Sequence, residues 1–331
     1  MKTKVSIAAG FAVSALLLWL ALRNIEFGSL AGIYARMEPL YLLPVAAVAL
    51  AELLARGARW RLLLLPSSPS VKLSDAFKLE AAGLALNNIL PLRLGELVRA
   101  TFAARVFSIP VVTVLATILV ERLLDVIVLF LLFAAAAEFG GITGGLFAYN
   151  GLMWTLVAGV AAGIAALIFS DELVAHAWFS GFFARFPRVR AVFERVAMGV
   201  KGLHTFRSGS LIFLFAALQW LFDALNFWLL ARAFGLGGTI DAFRSVALIF
   251  AGAAAASVPG MPGYFGNYEL VLVKVLKGWG VQEGVGFAFV SCMHVFIYVF
   301  ITLLGVAFIY QMGQSLGRVW SEFKSAGKDK A

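Results

Sequence analysis

The sequence contains few of the residues from which catalytic and metal sites are usually built. Its single cysteine, Cys292, lies inside an apolar run, so an intramolecular disulfide is excluded. The three histidines, His176, His204 and His294, are scattered and have no ligand-like neighbours at metal spacing, so we expect no metal site. There is no G-x-S-x-G elbow, Walker loop or D-x-D motif, so the sequence predicts neither an enzyme nor a cofactor.

Charged residues are also scarce. They make up 14% of the chain, against 62% hydrophobic residues and a mean hydropathy of +0.94. A soluble core of 331 residues could not bury that much apolar surface, so we expect an integral membrane protein. The net charge of +9 does not indicate a nucleic-acid partner, because the basic residues lie in the connections between apolar runs.

Six apolar runs are long enough to cross a hydrocarbon layer, which takes about 20 residues. They cover 5–22, 40–55, 110–137, 145–169, 210–231 and 285–311. The first run follows Lys2 and Lys4, as the core of a signal peptide would. We interpret it as an uncleaved span, because it is longer than a usual signal core and is not followed by a small-x-small cleavage site.

Two further apolar segments, 75–99 and 241–269, are each interrupted in the middle. Both begin with Asp-Ala-Phe, stop at proline (Pro91; Pro259 and Pro262), and resume through glycine to an acidic residue. We call them the first and second broken segments. In a membrane protein, paired interrupted segments in two halves of a chain indicate a transport site. Two interfacial loops between ordinary spans are the alternative.

Basic residues in the connections predict the topology. They fall in four segments, and these lie on one side of the membrane if the six spans alternate and the broken segments do not cross. The residues are Lys2, Lys4, Arg56, Arg59, Arg61, Lys72, Arg185, Arg188, Arg190, Arg195, Lys201, Arg207, Arg318, Lys324, Lys328 and Lys330. The positive-inside rule then places both termini in the cytoplasm, although Lys274 and Lys277 fall outside. Re-entrant broken segments would form an inverted repeat, whereas fully crossing ones would give eight spans and parallel copies.

The predicted organisation is a single polytopic, all-α membrane domain over 1–331. It has a first repeat at about 40–137, a second at about 210–311 and a cytoplasmic tail at 312–331. The connection 171–207 mixes phenylalanine and valine with basic residues, which predicts an amphipathic helical hairpin on the cytoplasmic face. A simple positively charged anchor loop is the alternative.

Ionisable and polar residues inside these apolar segments are the candidate substrate-binding residues, because each is costly there. They are Asn87, Asn88, Arg93, Glu96, Arg99, Glu121, Arg122, Asp125, Tyr264, Asn267 and Glu269. Helical spacing predicts that Arg122 pairs with Asp125, and Glu96 with Arg99. Arginines held by carboxylates could bind an anionic head group in bidentate fashion.

Other polar residues in the apolar runs are expected to be structural. We interpret Glu52 and Arg56 as a neutralised pair near the cytoplasmic face. His294 is a lone histidine in a helix, and we interpret it as a hydrogen-bonded packing residue rather than a proton relay.

Three motifs resemble the transmembrane domain of the lysylphosphatidylglycerol synthase/flippase family. They are N-x-x-x-P-x-R-x-G-E-x-x-R at 87–99, E-R-x-x-D at 121–125 and P-G-x-x-G at 262–266 with an acid at Glu269. The resemblance covers nearly the whole chain and implies a polytopic domain that translocates or accommodates lipids. Two-domain relatives add a soluble aminoacyl-transferase domain, which we do not expect here, because roughly twenty residues follow the last span.

The sequence therefore predicts a multi-pass protein of the cell membrane that moves an amphipathic lipid, anionic or glycosylated, between leaflets. With no ATP site, movement would be passive or driven by an ion gradient. The resemblance implies a phospholipid, glycolipid or hopanoid-type lipid as partner, with a lipid-biosynthesis enzyme as a further candidate. Two alternatives stay open: a membrane-embedded transferase acting on a polyprenyl or glycolipid substrate, and a non-catalytic scaffold of a lipid-modifying complex.

Overall fold

The described part of the chain is helical throughout and contains no strand. The computed structural model describes residues 16–20, 22–23, 27–90, 94–142, 150–169, 181, 184–187, 189–191, 194, 201–257 and 262–313. The helices are α1 (Phe27–Arg36), α2 (Leu42–Leu64), α3 (Leu73–Ile89), α4 (Leu94–Phe107), α5 (Val111–Gly140), α6 (Asn150–Ile168), α7 (Phe206–Ala233), α8 (Ala242–Ser257), α9 (Asn267–Gly278) and α10 (Glu283–Gln311). This confirms the predicted all-α class for the residues described.

Three helical stretches are long and apolar enough to cross a membrane, judged by length and composition among the described residues. They are Pro39–Leu64, Phe206–Ala233 and Glu283–Gln311, and Ala242–Ser257 is a shorter apolar helix. The count of six spans stays a prediction. Of the predicted span 5–22, only 16–20 and 22 are described, and they are helical. The predicted amphipathic hairpin at 171–207 and the tail at 312–331 lie largely outside the described residues.

The predicted span 40–55 is wrong at its end. Helix α2 continues to Leu64, and Arg59 is fully buried within it instead of lying in a connection. The buried charge is tolerated because carboxylates on α5 neutralise it. The sequence around Arg59 does not show those distant partners.

Both broken segments form a helix, a break and a second helix. In the first, α3 ends at Ile89 and α4 starts at Leu94. In the second, α8 ends at Ser257, a single 3-10 turn covers Pro262–Tyr264, and α9 starts at Asn267. Gly263 in that turn has a φ of 75°, a conformation that glycine adopts without strain. The helix–break–helix pattern predicted from proline and glycine is therefore confirmed in both segments.

Each pair of helices folds back on itself, and we call α3–α4 the first hairpin and α8–α9 the second. A Cβ at Gly83 would lie 2.8 Å from Arg99 Cδ, and a Cβ at Gly252 would lie 2.8 Å from Tyr268 Cε2. Both glycines lie about eight residues before the break and their partners about eight after it. The missing side chains therefore let the two helices of each hairpin pack closely.

The helices form two series of the same order. The first series has 23, 17, 14 and 30 residues in α2, α3, α4 and α5. The second has 28, 16, 12 and 29 residues in α7, α8, α9 and α10. In both series a long helix precedes a hairpin, and a second long helix follows it.

The two series pack reciprocally, because the last helix of each lies antiparallel on the first hairpin helix of the other. In one direction, Phe77 of α3 meets Phe308 of α10 with ring centroids 5.5 Å apart, and Asn88 bonds to Thr302 at 2.9 Å. In the other, Phe133 of α5 stacks on Phe250 of α8 at 4.3 Å.

The first helices of the two series, α2 and α7, pack against each other in antiparallel orientation. The Glu38 N–H, just before α2, donates to the carbonyl of Ala233 at the end of α7 at 3.0 Å. At the other end, a Cβ at Gly202, just before α7, would lie 3.0 Å from the carbonyl oxygen of Leu62. The equivalent helices α2 and α7 therefore run in opposite directions.

Candidate functional site

Among the residues that the structure describes, seven charged side chains from four helices form one connected cluster, which we call the ion network. It contains three arginines and four carboxylates: Arg59 of α2, Glu80 of α3, Glu96 and Arg99 of α4, and Glu121, Arg122 and Asp125 of α5. The first hairpin and its two flanking long helices thus all contribute. A charge inside an apolar bundle is expensive and therefore marks a functional region by default.

Arg59 and Arg99 form the buried centre of the ion network. Arg59 lies 2.6 Å from Asp125 Oδ1 and 3.3 Å from Glu121 Oε1. Arg99 donates to Glu121 Oε2 at 2.5 Å and also to Glu80. Glu121 of α5 thus bridges Arg59 of α2 and Arg99 of α4, and Arg99 in turn connects to Glu80 of α3.

Two neutral side chains hold this centre in place. Gln219 of α7 donates to Asp125 at 2.9 Å, which brings the second series into contact with the ion network. The Trp60 ring lies 4.3 Å from the Arg99 guanidinium carbon, a cation–π distance, and its indole N–H donates to Thr117 at 3.1 Å. Both guanidinium groups are therefore fixed from several sides.

Arg122 and Glu96 form the accessible edge of the ion network. Their side chains are 34% and 24% exposed, and Arg122 Nε lies 3.3 Å from Glu96 Oε1. Arg122 also contacts Asp125 at 3.2 Å, which confirms the predicted pair. Because Glu96 lies in the first turn of α4, this edge directly follows the break of the first hairpin.

The predicted pairing of Glu96 with Arg99 is wrong. Arg99 turns towards α3, where the missing side chain of Gly83 leaves room for it, and binds Glu80 and Glu121. Glu96 binds Arg122 of the next helix instead. Spacing along one helix identifies possible partners, but the packing of neighbouring helices selects among them.

The predicted pair of Glu52 and Arg56 is confirmed at 2.7 Å, beside the ion network. Arg56 also lies 4.0 Å from Asp223 of α7. Glu52 and Arg56 therefore neutralise each other, and Arg56 also connects α2 to α7, the first helices of the two series.

A second acid–base pair follows the break of the second hairpin. His294 Nδ1 of α10 lies 2.5 Å from Glu269 Oε1, and the other Glu269 oxygen accepts the Gly266 N–H at 2.7 Å. Phe265 stacks on the imidazole at 4.4 Å, and the Tyr268 ring lies 4.7 Å away. The predicted hydrogen bonding of His294 is thus confirmed, with a carboxylate as its partner.

The breaks of the two hairpins meet at Tyr298 of α10. Its hydroxyl donates to the carbonyl of Asn88, near the end of α3, at 3.0 Å. A Cβ at Gly263, in the turn of the second hairpin, would lie 2.6 Å from the same ring. One aromatic side chain therefore contacts both breaks.

The remaining predicted residues lie near these features. Asn87 packs against the backbone of Gly95 across the first hairpin, Tyr264 lies in the 3-10 turn with a φ of 62°, and Asn267 is buried at the start of α9. Arg93 lies outside the described residues.

The candidate residues predicted from the sequence do not include Arg59 and Glu80 of the ion network, nor Gln219, which donates to it. Arg59 was assigned to a connection, yet Glu52, Arg56 and Arg59 repeat at helical spacing and share one face of α2. That periodicity was the available signal. Gln219 gave no signal, since its partner Asp125 lies 94 residues away.

Comparison with known proteins gave one family. The family model described as "Lysylphosphatidylglycerol synthase TM region" matches residues 7–305. No curated protein and no solved structure matched the chain. The match covers both hairpins, the ion network and the Glu269–His294 pair. This chain is therefore a multi-pass membrane protein that belongs to the family of the lysylphosphatidylglycerol synthase transmembrane region.

Proposed function

We propose that this protein moves an amphipathic lipid between the leaflets of the cell membrane. The observation that carries the proposal is the meeting of two broken hairpins at Tyr298, with an acid–base pair beside each break. Irregular backbone within a membrane protein is tolerated only where it is buried in protein or lines a polar path. Family membership supports a lipid as the substrate.

The proposed topology has six spans, with both hairpins re-entrant and both termini in the cytoplasm. The reciprocal packing of the two series and the antiparallel contact of α2 with α7 support an inverted repeat. Parallel repeats are related by an axis along the membrane normal, which would leave equivalent helices pointing the same way. In an inverted repeat the breaks come from opposite faces and meet within the bilayer.

The head group of the lipid is proposed to bind at the accessible edge of the ion network. Arg59 and Arg99 are buried and bound to carboxylates, whereas the Arg122 side chain is 34% exposed. A phosphate or other anionic group would contact Arg122 in competition with Glu96, and the exchange would leave the buried centre intact. Bidentate arginine–phosphate contacts are among the stronger charge-assisted hydrogen bonds.

The test is lipid translocation by the purified protein in proteoliposomes. A fluorescent phospholipid placed in the inner leaflet becomes accessible to a membrane-impermeant quencher only after it crosses the bilayer. We expect the wild type to expose the probe faster than empty vesicles. The double variant Arg122→Gln with Glu96→Gln removes both charges at the edge, and we expect it to be folded and slower by roughly tenfold or more, because it loses a charge-assisted contact.

The matched control is Arg190→Gln with Glu194→Gln. This pair has a similar ion contact, 2.7 Å, but both side chains are about half exposed, and we expect translocation at the wild-type rate. Wild-type protein that is no faster than empty vesicles would refute the proposal. Full translocation by the double variant Arg122→Gln with Glu96→Gln would mean that the head group binds elsewhere than at the ion network.

A further inference from the structure

The two acid–base pairs occupy equivalent positions in the two series. Glu96 is the third residue of α4, and its partner Arg122 is the twelfth residue of α5. Glu269 is the third residue of α9, and its partner His294 is the twelfth residue of α10. In both halves, an acid in the first turn of the helix after the break therefore binds a base at the equivalent position of the following long helix.

The two pairs differ in the chemistry of the base. Arginine keeps its charge at any physiological pH, so the Glu96–Arg122 pair does not respond to protons. Histidine is the side chain that changes charge between about pH 5 and 8, so the Glu269–His294 pair can gain and lose a charge. The pair in the first half is therefore insensitive to pH, and the equivalent pair in the second half can respond to protons.

The polar and titratable groups near His294 come from several helices. On α9 it faces the Glu269 carboxylate and the Tyr268 ring, and Tyr268 is within electrostatic range of Asp223 on α7. On α10 itself, Tyr298 lies one turn away. Helix α3 presents the backbone carbonyl of Asn88 to the Tyr298 hydroxyl, and α1 presents Tyr34 to Ser291. Among these groups, the Glu269 carboxylate is in direct contact with the imidazole.

We propose that His294 with Glu269 is a proton-binding site that controls the second hairpin during lipid movement; this inference rests on the proposed function. When a proton is bound, imidazolium and carboxylate form an ion pair that holds α9 to α10, as Arg122 with Glu96 holds α4 to α5. When His294 releases the proton to water, the ion pair is lost and only a hydrogen bond from the neutral imidazole to the Glu269 carboxylate remains. The second hairpin can then move away from Tyr298, which also contacts the first break.

The experiment uses substitutions that fix the charge of the base. His294→Arg copies the pair of the first half and should remain charged, and His294→Gln should keep a hydrogen bond to Glu269 without a charge. We expect wild-type translocation to be slower at about pH 5.5, where a histidine gains a proton, than at about pH 7.5. The arginine variant should be slow at both pH values, and the glutamine variant fast at both. His204→Gln, at an exposed position, should behave as wild type.

Proton binding is measured separately from transport. In protein labelled with 13C,15N-histidine and held in nanodiscs, the imidazole signal that disappears in His294→Gln belongs to His294. We expect that signal to titrate between about pH 5 and 8. A signal that stays in one protonation state over this range would overturn the inference, as would a wild-type pH dependence that survives in His294→Arg. Absence of translocation at every pH would instead refute the proposed function, and the imidazole titration would still decide whether the proton site exists.

Discussion

Arg59 and Asp125 are in direct contact at 2.6 Å although 66 residues separate them in the chain. Arg59 is fully buried and Asp125 almost so, and the contact joins α2 to α5 inside the bundle. Glu121 completes the binding of Arg59, and Gln219 reaches the same Asp125 oxygen from the second series. This contact therefore couples the ion network to the packing of both halves.

The first prediction concerns the loss of the buried arginine. Arg59→Ala leaves Asp125 and Glu121 with one cation fewer, and breaking a buried pair costs roughly 3 to 5 kcal/mol. We expect a lowered free energy of unfolding of about that size, measured by reversible unfolding in mixed micelles. Arg190→Ala is the control, since its pair with Glu194 is half exposed and should change stability by less than about 1 kcal/mol. Equal stability of the two variants would contradict a structural role for Arg59.

The second prediction concerns the close packing inside both hairpins. A methyl group at Gly83 would crowd the Arg99 side chain, and one at Gly252 would crowd the Tyr268 ring, each at 2.8 Å. We expect Gly83→Ala and Gly252→Ala each to lower the free energy of unfolding by roughly 1 to 3 kcal/mol, as overpacking does.

The control for the glycine variants is Gly32→Ala in α1, where a Cβ would have nothing within 4 Å. That change should be neutral or slightly stabilising, because alanine is favoured over glycine in a helix by roughly 1 kcal/mol. If Gly83→Ala and Gly252→Ala behave like the control, the two hairpins are packed less closely than described.

Much of this fold could be predicted because apolar periodicity and helix breakers act locally. Pro91 and the Pro259–Pro262 stretch located both breaks, and the long apolar runs located α5, α7 and α10 to within a few residues. Local signals fail where a charge is stabilised by a distant partner. Helix α2 passes its predicted end because Arg59 is neutralised from α5, more than sixty residues away.

The candidate site could be predicted in composition but not in pairing. Glu96, Arg99, Glu121, Arg122 and Asp125 were all identified as buried charges, and all lie in the ion network. Which acid binds which base depends on how α3, α4 and α5 pack, and spacing within one helix does not encode that. The equivalence of Glu269–His294 with Glu96–Arg122 was hidden for the same reason, since neither pair lies within one helix.

The third prediction concerns topology. Glu138 lies at the end of α5 and Arg207 at the start of α7, and both are exposed. The end of α5 packs against the start of α8, and α8 directly follows the end of α7. The end of α5 therefore lies near the end of α7, far from Arg207 at the start of α7. In a Cys292→Ser background, we expect cysteine at 138 to react with an impermeant maleimide added outside intact cells, and cysteine at 207 to react only after permeabilisation. Reaction of both from outside would exclude the proposed orientation.

The last prediction tests whether the two breaks meet within the membrane. Tyr298 contacts Asn88 at the end of the first hairpin and Gly263 in the turn of the second, so residues beside these two breaks are separated by about one aromatic ring. Cysteines at Asn88 and Tyr264 in a Cys292→Ser background should therefore be joined by a short bifunctional maleimide in native membranes. As a control, cysteine at Asn88 is combined with cysteine at Trp279, beyond the far end of α9, and should not be joined. If the hairpins cross the membrane fully and their breaks lie apart, neither pair will crosslink. A crosslink confined to the break residues, and weakened in Tyr298→Ala, would identify Tyr298 as the contact that holds the two hairpins together.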